Sequence, residues 1–220
     1  SVGNTNMLSD YAAIKNGSYG KLMKAYYAKQ DAEKLSGKGD TSQKLTLMKT
    51  SADSLKKSAD ALNDASLWEK KKIKKKDEKT GEEIEVEDYD WDKITKAVKS
   101  FVEDYNDVVK EAGESNTKDV LRNATWMTGM TDKNSNMLAK IGITIGKGNK
   151  LELDEDALKQ ADISSLKTVF TGYNSFVSKI SQKATGISNA ANRASATYTN
   201  NGTYSKTDSS LTSSKIDKEV

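Results

Sequence analysis

The chain has 220 residues, 35% of them hydrophobic and 30% charged, and its 35 Lys and Arg nearly balance 32 Asp and Glu for a net charge of +3. A balance so close to neutral implies no bulk attraction to nucleic acid or to an anionic membrane surface. With no Cys and no His, disulfides, thiol nucleophiles, Cys/His zinc sites and His-based acid–base catalysis are excluded. The low apolar fraction suits long, thin helical packing better than a thick globular core. No apolar run approaches the roughly 20 residues a membrane span needs, and no cleavable signal peptide is visible in the residues given.

Residues 1–17 are polar, with a short amphipathic piece around Met7, Leu8, Tyr11 and Ile14. Asn16-Gly17 marks a turn and Ser18 is placed to cap the next helix. That helix, Tyr19 to about Leu35, carries Leu22, Met23, Tyr26, Tyr27, Ala32 and Leu35 on one broad face, and Gly37-Lys38-Gly39-Asp40 stops it. From about Thr41 to Asp64, Leu45, Met48, Ala52, Leu55, Ala59 and Leu62 alternate three and four apart, the heptad seam of a helix that packs on another.

Next come Lys70-Lys71-Lys72-Ile73-Lys74-Lys75-Lys76 and Glu82-Glu83-Ile84-Glu85-Val86-Glu87, joined by Asp77-Glu78-Lys79-Thr80-Gly81. Gly81 stands where a turn needs a positive φ. A four-residue loop, Glu78–Gly81, sets Ile73 opposite Val86, Lys76 opposite Glu83, Lys74 opposite Glu85 and Lys72 opposite Glu87. The reading is a β-hairpin over about 69–88, with a Lys–Glu ladder on one face and Ile73, Ile84 and Val86 on the other. Each exposed pair contributes only about 0.2–1 kcal/mol, so the ladder acts mainly on register.

The helix over 92–112 is long and one-sided. Ile94, Val98, Phe101, Tyr105, Val108 and Ala112 form a second heptad seam, Val102 and Val109 widen it, and Asp90 or Asp92 is placed to cap it. The seam over Leu45–Leu62 is its natural partner. After Gly113-Glu114-Ser115-Asn116, a helix from about Thr117 to Lys140 carries Val120, Leu121, Ala124, Met127, Leu138 and Ile141, with an interruption expected in the polar stretch Gly129–Asn136. Ile141-Gly142-Ile143-Thr144-Ile145 and Lys150-Leu151-Glu152-Leu153 alternate with period two around Gly146–Asn149, a second hairpin over about 141–153. Asp154 is placed to cap a short helix, Glu155–Ala161. One last helix is expected to hold Val169, Phe170, Phe176, Ile180, Ile187, Ala190, Ala194 and Tyr198. From Thr199 the Ser-, Thr-, Asn- and Lys-rich sequence predicts a flexible polar tail, 199–220.

No motif supports chemistry. The lysine run 70–76 is more than cancelled by the acids of 82–92, so a nucleic-acid patch is not expected. Asp132-Lys133-Asn134-Ser135-Asn136 opens like a calcium loop but has Met137 and Ile143 where Gly and an acid are needed. Gly142 and Gly146-Lys147 are too close for a phosphate-binding loop, and Gly148 replaces its Ser or Thr. Ser18-Tyr19-Gly20-Lys21 with Lys79-Thr80-Gly81 echoes serine acyl-transferases, yet Ser-x-x-Lys recurs at Ser54–Lys57, Ser115–Lys118 and Ser164–Lys167, as chance predicts in so Ser- and Lys-rich a chain. Trp68, Trp91 and Trp126 read as packing residues near element ends. No catalytic, cofactor-binding or metal-ligating residue is expected, and no cofactor.

Phe101-Val102-Glu103-Asp104-Tyr105-Asn106-Asp107-Val108-Val109 resembles the Phe-Val-x-x-Tyr-Asn helix of the flagellar hook-associated protein 2 family, the filament-capping proteins. Leu138-Ala139-Lys140-Ile141-Gly142-Ile143-Thr144, then Leu151-Glu152-Leu153-Asp154 and Ala157-Leu158, resembles the hairpin and short helix that follow in that family. The likeness spans about residues 90–198, and more weakly Leu22-Met23-Lys24-Ala25 is similar to the family's amino-terminal helix. The resemblance implies a structural, non-catalytic protein of the bacterial flagellum, with a helical stalk made from sequences before and after an inserted head, exported through the flagellar channel to the cell surface. It implies protein partners: flagellin, other hook-associated proteins or further copies of itself in a homo-oligomer. It also implies cell adhesion where a head is present. Here only the hairpin 69–88 occupies the place of the family's large β-rich head, and the sequence shows no long carboxy-terminal helix.

The expected fold is therefore mainly α, an elongated, coiled-coil-like helical bundle with two small β-hairpins in a single domain, 1–198. The competing reading is a secreted or surface-located helical interaction module, of unknown partner, that shares only the fold.

Overall fold

The computed structural model describes the backbone of residues 39–213 and the side chains of residues 39–197. The expected helix Tyr19–Leu35, its cap Ser18, the amphipathic piece around Met7 and Ile14, and the side chain of Tyr198 lie outside the described residues.

The helix α1 spans Ser42–Leu62, and the Thr41 hydroxyl caps it by accepting the Lys44 N–H at 3.2 Å. All six seam residues, Leu45 to Leu62, are buried. A 3₁₀ turn, Ala65–Trp68, then folds Trp68 back so that its indole N–H donates to the Leu62 carbonyl at 2.7 Å. Strands β1 (Lys71–Lys76) and β2 (Glu83–Asp88) form the first hairpin. Its register is the expected one, with Ile73 opposite Val86, Lys72 opposite Glu87, Lys74 opposite Glu85 and Lys76 opposite Glu83. Gly81 takes φ +71 at the turn, and the Asp77 carboxylate accepts the Lys79 N–H at 2.7 Å and the Thr80 N–H at 3.1 Å. The directly opposed ion pairs give way to a diagonal one, Lys74–Glu83 at 4.0 Å, while on the opposite face Lys75 reaches Asp88 at 2.9 Å, four positions from its own partner Ile84. Long, well-hydrated side chains gain too little from any one partner to hold a single geometry.

The helix α2 spans Trp91–Gly113, and of the two candidate caps it is Asp90 that accepts the Lys93 N–H, at 3.1 Å. Its seam, Ile94 to Ala112, is buried together with Val102 and Val109. Then follow α3 (Lys118–Lys133) and α4 (Ser135–Ala139), separated at Asn134 inside the stretch where an interruption was expected. Strands β3 (Ile143–Ile145) and β4 (Leu151–Leu153) pair antiparallel, Ile143 opposite Leu153. Asp154 caps α5 (Glu155–Gln160) by accepting the Ala157 N–H at 2.9 Å. Gly142 opens β3 at φ +84, and a Cβ there would lie 2.7 Å from the Asp154 carbonyl oxygen and 2.9 Å from the Leu158 nitrogen. The tight fold of the second hairpin onto α5 requires glycine at that position.

Two sequence expectations need correction here. The single last helix is two, α6 (Ile163–Phe170) and α7 (Phe176–Ser213), broken over 171–175 with Gly172 at φ +97. The break lets Phe170 and Phe176 both face the core from different directions. The polar sequence from Thr199 is not irregular from its start, because α7 continues to Ser213, 38 residues in all. The carboxy-terminal part of the chain thus does form a long helix. Propagation from an already packed helical segment is far less costly than nucleation, and no proline stops it.

One continuous core joins α1, α2, α3, the second hairpin, α5, α6 and α7. The α1–α7 pair runs antiparallel and is keyed by hydroxyls, Ser188 donating to Asp53 at 2.6 Å and Ser181 to Asp60 at 2.7 Å. Each aspartate also holds a lysine one turn back on its own helix, Lys49 and Lys56 respectively. Partial burial pushes both carboxyls up, but the bonds from Lys49 and Ser188 to Asp53, and from Lys56 and Ser181 to Asp60, outweigh it, and both sit below the ordinary carboxylate range.

Two outcomes follow for stability. Gly142→Ala is expected to lower unfolding free energy by about 2–4 kcal/mol in urea titrations, the sum of left-handed backbone strain and a backbone clash. A carboxyl whose folded pKa is depressed stabilises fully above its unfolded pKa of about 3.9 and loses that contribution as pH falls through the lower folded value. The stability gap between the native chain and an Asp53→Asn, Asp60→Asn double variant should therefore be open at pH 7 and close on acidification below about pH 4. A gap independent of pH would show that these carboxylates are not the linked groups.

Candidate interaction surface

The residues that carry the family likeness are architectural. Phe101, Val102 and Tyr105 are buried, and the Tyr105 hydroxyl donates to Thr131 Oγ1 at 2.8 Å, tying α2 to α3. Burial, only partly opposed by that bond, pushes the Tyr105 hydroxyl above its ordinary pKa. Asn106 pairs with the backbone of β4 as another strand would: its amide NH₂ donates to the Leu151 carbonyl at 2.9 Å, and its carbonyl accepts the Leu151 N–H at 2.7 Å. Asp104, half-buried beside α1, has its carboxyl pushed up by desolvation, opposed by a bond to Ser58 and reinforced by Asp107 and Glu103. None of these side chains is arranged around an open site.

A second polar joint sits at the opposite end of α1. The buried Asp40 carboxylate accepts from Ser115 Oγ (2.7 Å), Asn116 N–H (2.7 Å), Thr117 N–H (2.9 Å) and Thr117 Oγ1 (2.6 Å). It caps the start of α3, where Thr117 makes no side-chain cap of its own. An acid at a helix N-terminus meets unpaired N–H groups and the positive end of the dipole. Ser115 belongs to this joint and Lys79-Thr80-Gly81 to the hairpin tip, while Ser18-Tyr19-Gly20-Lys21 lies outside the described residues.

Among the described residues the exposed large hydrophobic side chains are Leu47 near the start of α1, Trp126 on α3, and Ile84 and Tyr173 at the hairpin end of the bundle. There the chain leaves α1 through Trp68, forms the hairpin and re-enters at Trp91. The α6–α7 loop comes to the same end, held by the Gly172 N–H donating to Asn63 Oδ1 at 2.8 Å, and it presents Tyr173 at 81% exposure. At the hairpin root a cleft of about 280 Å³ is lined by Ile73, Lys74, Lys75, Tyr89 and Asp90–Asp92. Tyr89 stands edge-on to Trp91 at 6.2 Å, and the Lys70 ammonium lies 5.7 Å from the Tyr89 ring. Of the three tryptophans, Trp68 is buried and Trp91 half-buried at element ends, but Trp126 is mid-helix and 53% exposed, with the Lys183 ammonium 4.3 Å over its ring. Its expected packing role gives way to a cation–π contact across the surface of α3 and α7.

Among the described residues no group of three or more acidic, His or Cys side chains is placed to hold a metal ion, and no helix is long and apolar enough to cross a membrane. The arrangement offers surfaces and joints rather than reacting groups. No curated protein and no solved structure matches the chain. The family described as flagellar hook-associated protein 2 C-terminus matches residues 113–219, a segment that includes both strands of the second hairpin and α3 to α7 but begins after Phe101–Val109. Over those residues the chain is similar to the flagellar hook-associated protein 2 C-terminus family.

Proposed function

We propose that this chain is a structural assembly protein of the bacterial flagellum, related to the filament cap and acting by protein–protein contact rather than catalysis. The observation that carries the reading is the family match over 113–219. The Phe101–Asn106 turn supports it, because it supplies the clamp on which the matched second hairpin rests. Its place of action is the outside of the cell, on the flagellum. Its partners are the axial proteins: flagellin, other hook-associated proteins or further copies of the chain. With the hairpin β1–β2 in the position of the family's head, adhesion is not assigned to it.

Antibody labelling of whole cells should mark filament ends, and the label should leave with sheared filaments. Deletion of the gene should shorten or abolish filaments and reduce spreading in soft agar, with recovery on complementation. Labelling spread evenly over the cell body, with filaments and motility intact in the deletion, would refute the flagellar role. It would leave the helical interaction module as the better description.

A further inference from the structure

The β1–β2 hairpin is a two-stranded sheet whose charges are sorted by strand, KKIKKK on β1 and EIEVED on β2. The Asp77 N–H donates to the Glu82 carbonyl at 2.9 Å, which makes that pair one bonded inward, across the hairpin. In an antiparallel ladder such pairs alternate with pairs whose N–H and C=O groups point away from the partner strand. The register then turns the backbone groups of Lys72, Lys74 and Lys76 outward along the β1 edge, and those of Glu83, Glu85 and Glu87 outward along the β2 edge. The side chains of all six are exposed and share one face. One edge offers unpaired backbone groups flanked by lysines, and the other offers them flanked by glutamates.

An unpaired edge is a template for another strand. Charge decides which strand is admitted. Pairing β1 with β1 of a second copy sets Lys against Lys, and β2 with β2 sets Glu against Glu; directly opposed like charges destabilise both. Only β1 against β2 of another copy opposes Lys to Glu at the facing positions.

We propose that the hairpin is a self-assembly module in which β1 of one copy pairs antiparallel with β2 of the next. The two edges differ, so the contact is heterologous and each added copy leaves the growing assembly with one free edge of each kind. Antiparallel addition keeps all hairpins pointing the same way, and the array closes into a ring or continues as a filament. Ile73, Ile84 and Val86 then form one apolar stripe on the other face, where Ile84 is 39% exposed in the single chain. Each strand is six residues long, so one contact is weak and stability grows with the number of copies joined. The lysines that guard the edge against chance aggregation thereby select the correct neighbour. This goes beyond the flagellar assignment and stands on the hairpin alone, so its failure leaves that assignment in place.

The chain contains no cysteine, so single-cysteine chains report the contact directly. Purified Lys74→Cys chain mixed with Glu85→Cys chain, or with the two-residue-shifted Glu83→Cys or Glu87→Cys chains, should form disulfide dimers under mild oxidation. At least one heterotypic mixture should give about tenfold more dimer than either component alone, as opposed rather than matched charges predict. In sedimentation velocity the unmodified chain should associate at high concentration and low salt. A Lys72→Glu, Lys74→Glu, Lys76→Glu chain should sediment as a monomer while keeping its helical circular dichroism. Equal cross-linking in homotypic and heterotypic mixtures would overturn the proposal. So would an unmodified chain that stays monomeric throughout, or association that survives the three substitutions.

Discussion

Phe101 sits where α2, α6 and α7 meet. Its ring is edge-on to Phe170 of α6 at 6.5 Å and to Phe176 of α7 at 6.3 Å, and Tyr105, one turn further along α2, lies 6.2 Å away. Phe170 in turn stacks on Trp68, at 5.6 Å and 11°, so the cluster reaches the 3₁₀ turn that closes α1. Each such pair adds about 0.5–1.5 kcal/mol beyond the burial of its rings. Removal of a central ring costs about 3–5 kcal/mol, a large part of a domain's net stability. The break between α6 and α7 makes sense in these terms. A straight helix through 171–175 would carry Phe170 and Phe176 on a fixed rotation, whereas the turn lets both rings reach Phe101.

Apolar burial fixes which faces meet, but it is tolerant of sliding along a seam that repeats every seven residues. Polar joints remove that freedom. Asp53 and Asp60 are one heptad apart on α1, as are Ser181 and Ser188 on α7, and the two hydroxyl–carboxylate bonds are satisfied together only at one antiparallel offset. A heptad slip of α7 that brings Ser181 opposite Asp53 sets Asn174 opposite Asp60 and leaves that carboxylate without its hydroxyl. Asp40 works similarly at the other end, since four donors from Ser115, Asn116 and Thr117 converge on one carboxylate. A buried donor left unpaired costs about 1–3 kcal/mol, enough to make a shifted packing a minor state.

The elements that could be read from the sequence are those whose information is local. Seam spacing identified α1 and α2 with their buried residues. The loop length, Gly81 and the order of Lys and Glu gave the register of the first hairpin pair by pair, and Asp154 marked the start of α5. The misses have non-local or marginal causes. Asp40 caps a helix that begins 77 residues later in the chain, at Thr117, and nothing beside it announces that. Asn106 lies on the edge of the helical stripe and looks solvated until β4 is placed next to it. The Asp53/Asp60 and Ser181/Ser188 spacings were present, but pairing them requires knowing that α1 and α7 are neighbours. The break at 171–175 did carry a local sign, Thr171-Gly172-Tyr173-Asn174, outweighed by the apolar spacing on either side. The extent of α7 past Tyr198 depends on propagation from packed turns and not on its own composition.

The family-matched segment holds much of the buried core, and the densest exposed charge lies outside it. Within 113–219 the match takes in Leu138, Ile141, Ile143, Leu151, Leu158, Leu166, Val169 and Phe170, all buried. Those residues specify a scaffold and leave little for a partner to read. The hairpin β1–β2 lies outside the matched segment and shows the reverse pattern, being mostly exposed, densely charged and without a core of its own. Trp68 belongs to the core on one side of it and Trp91 packs against that core on the other. Opposite charges sorted onto opposite edges give the hairpin a sequence better explained by what it meets than by what it supports. The buried residues of the matched segment build the scaffold, and the proposed selection of neighbours falls to the hairpin.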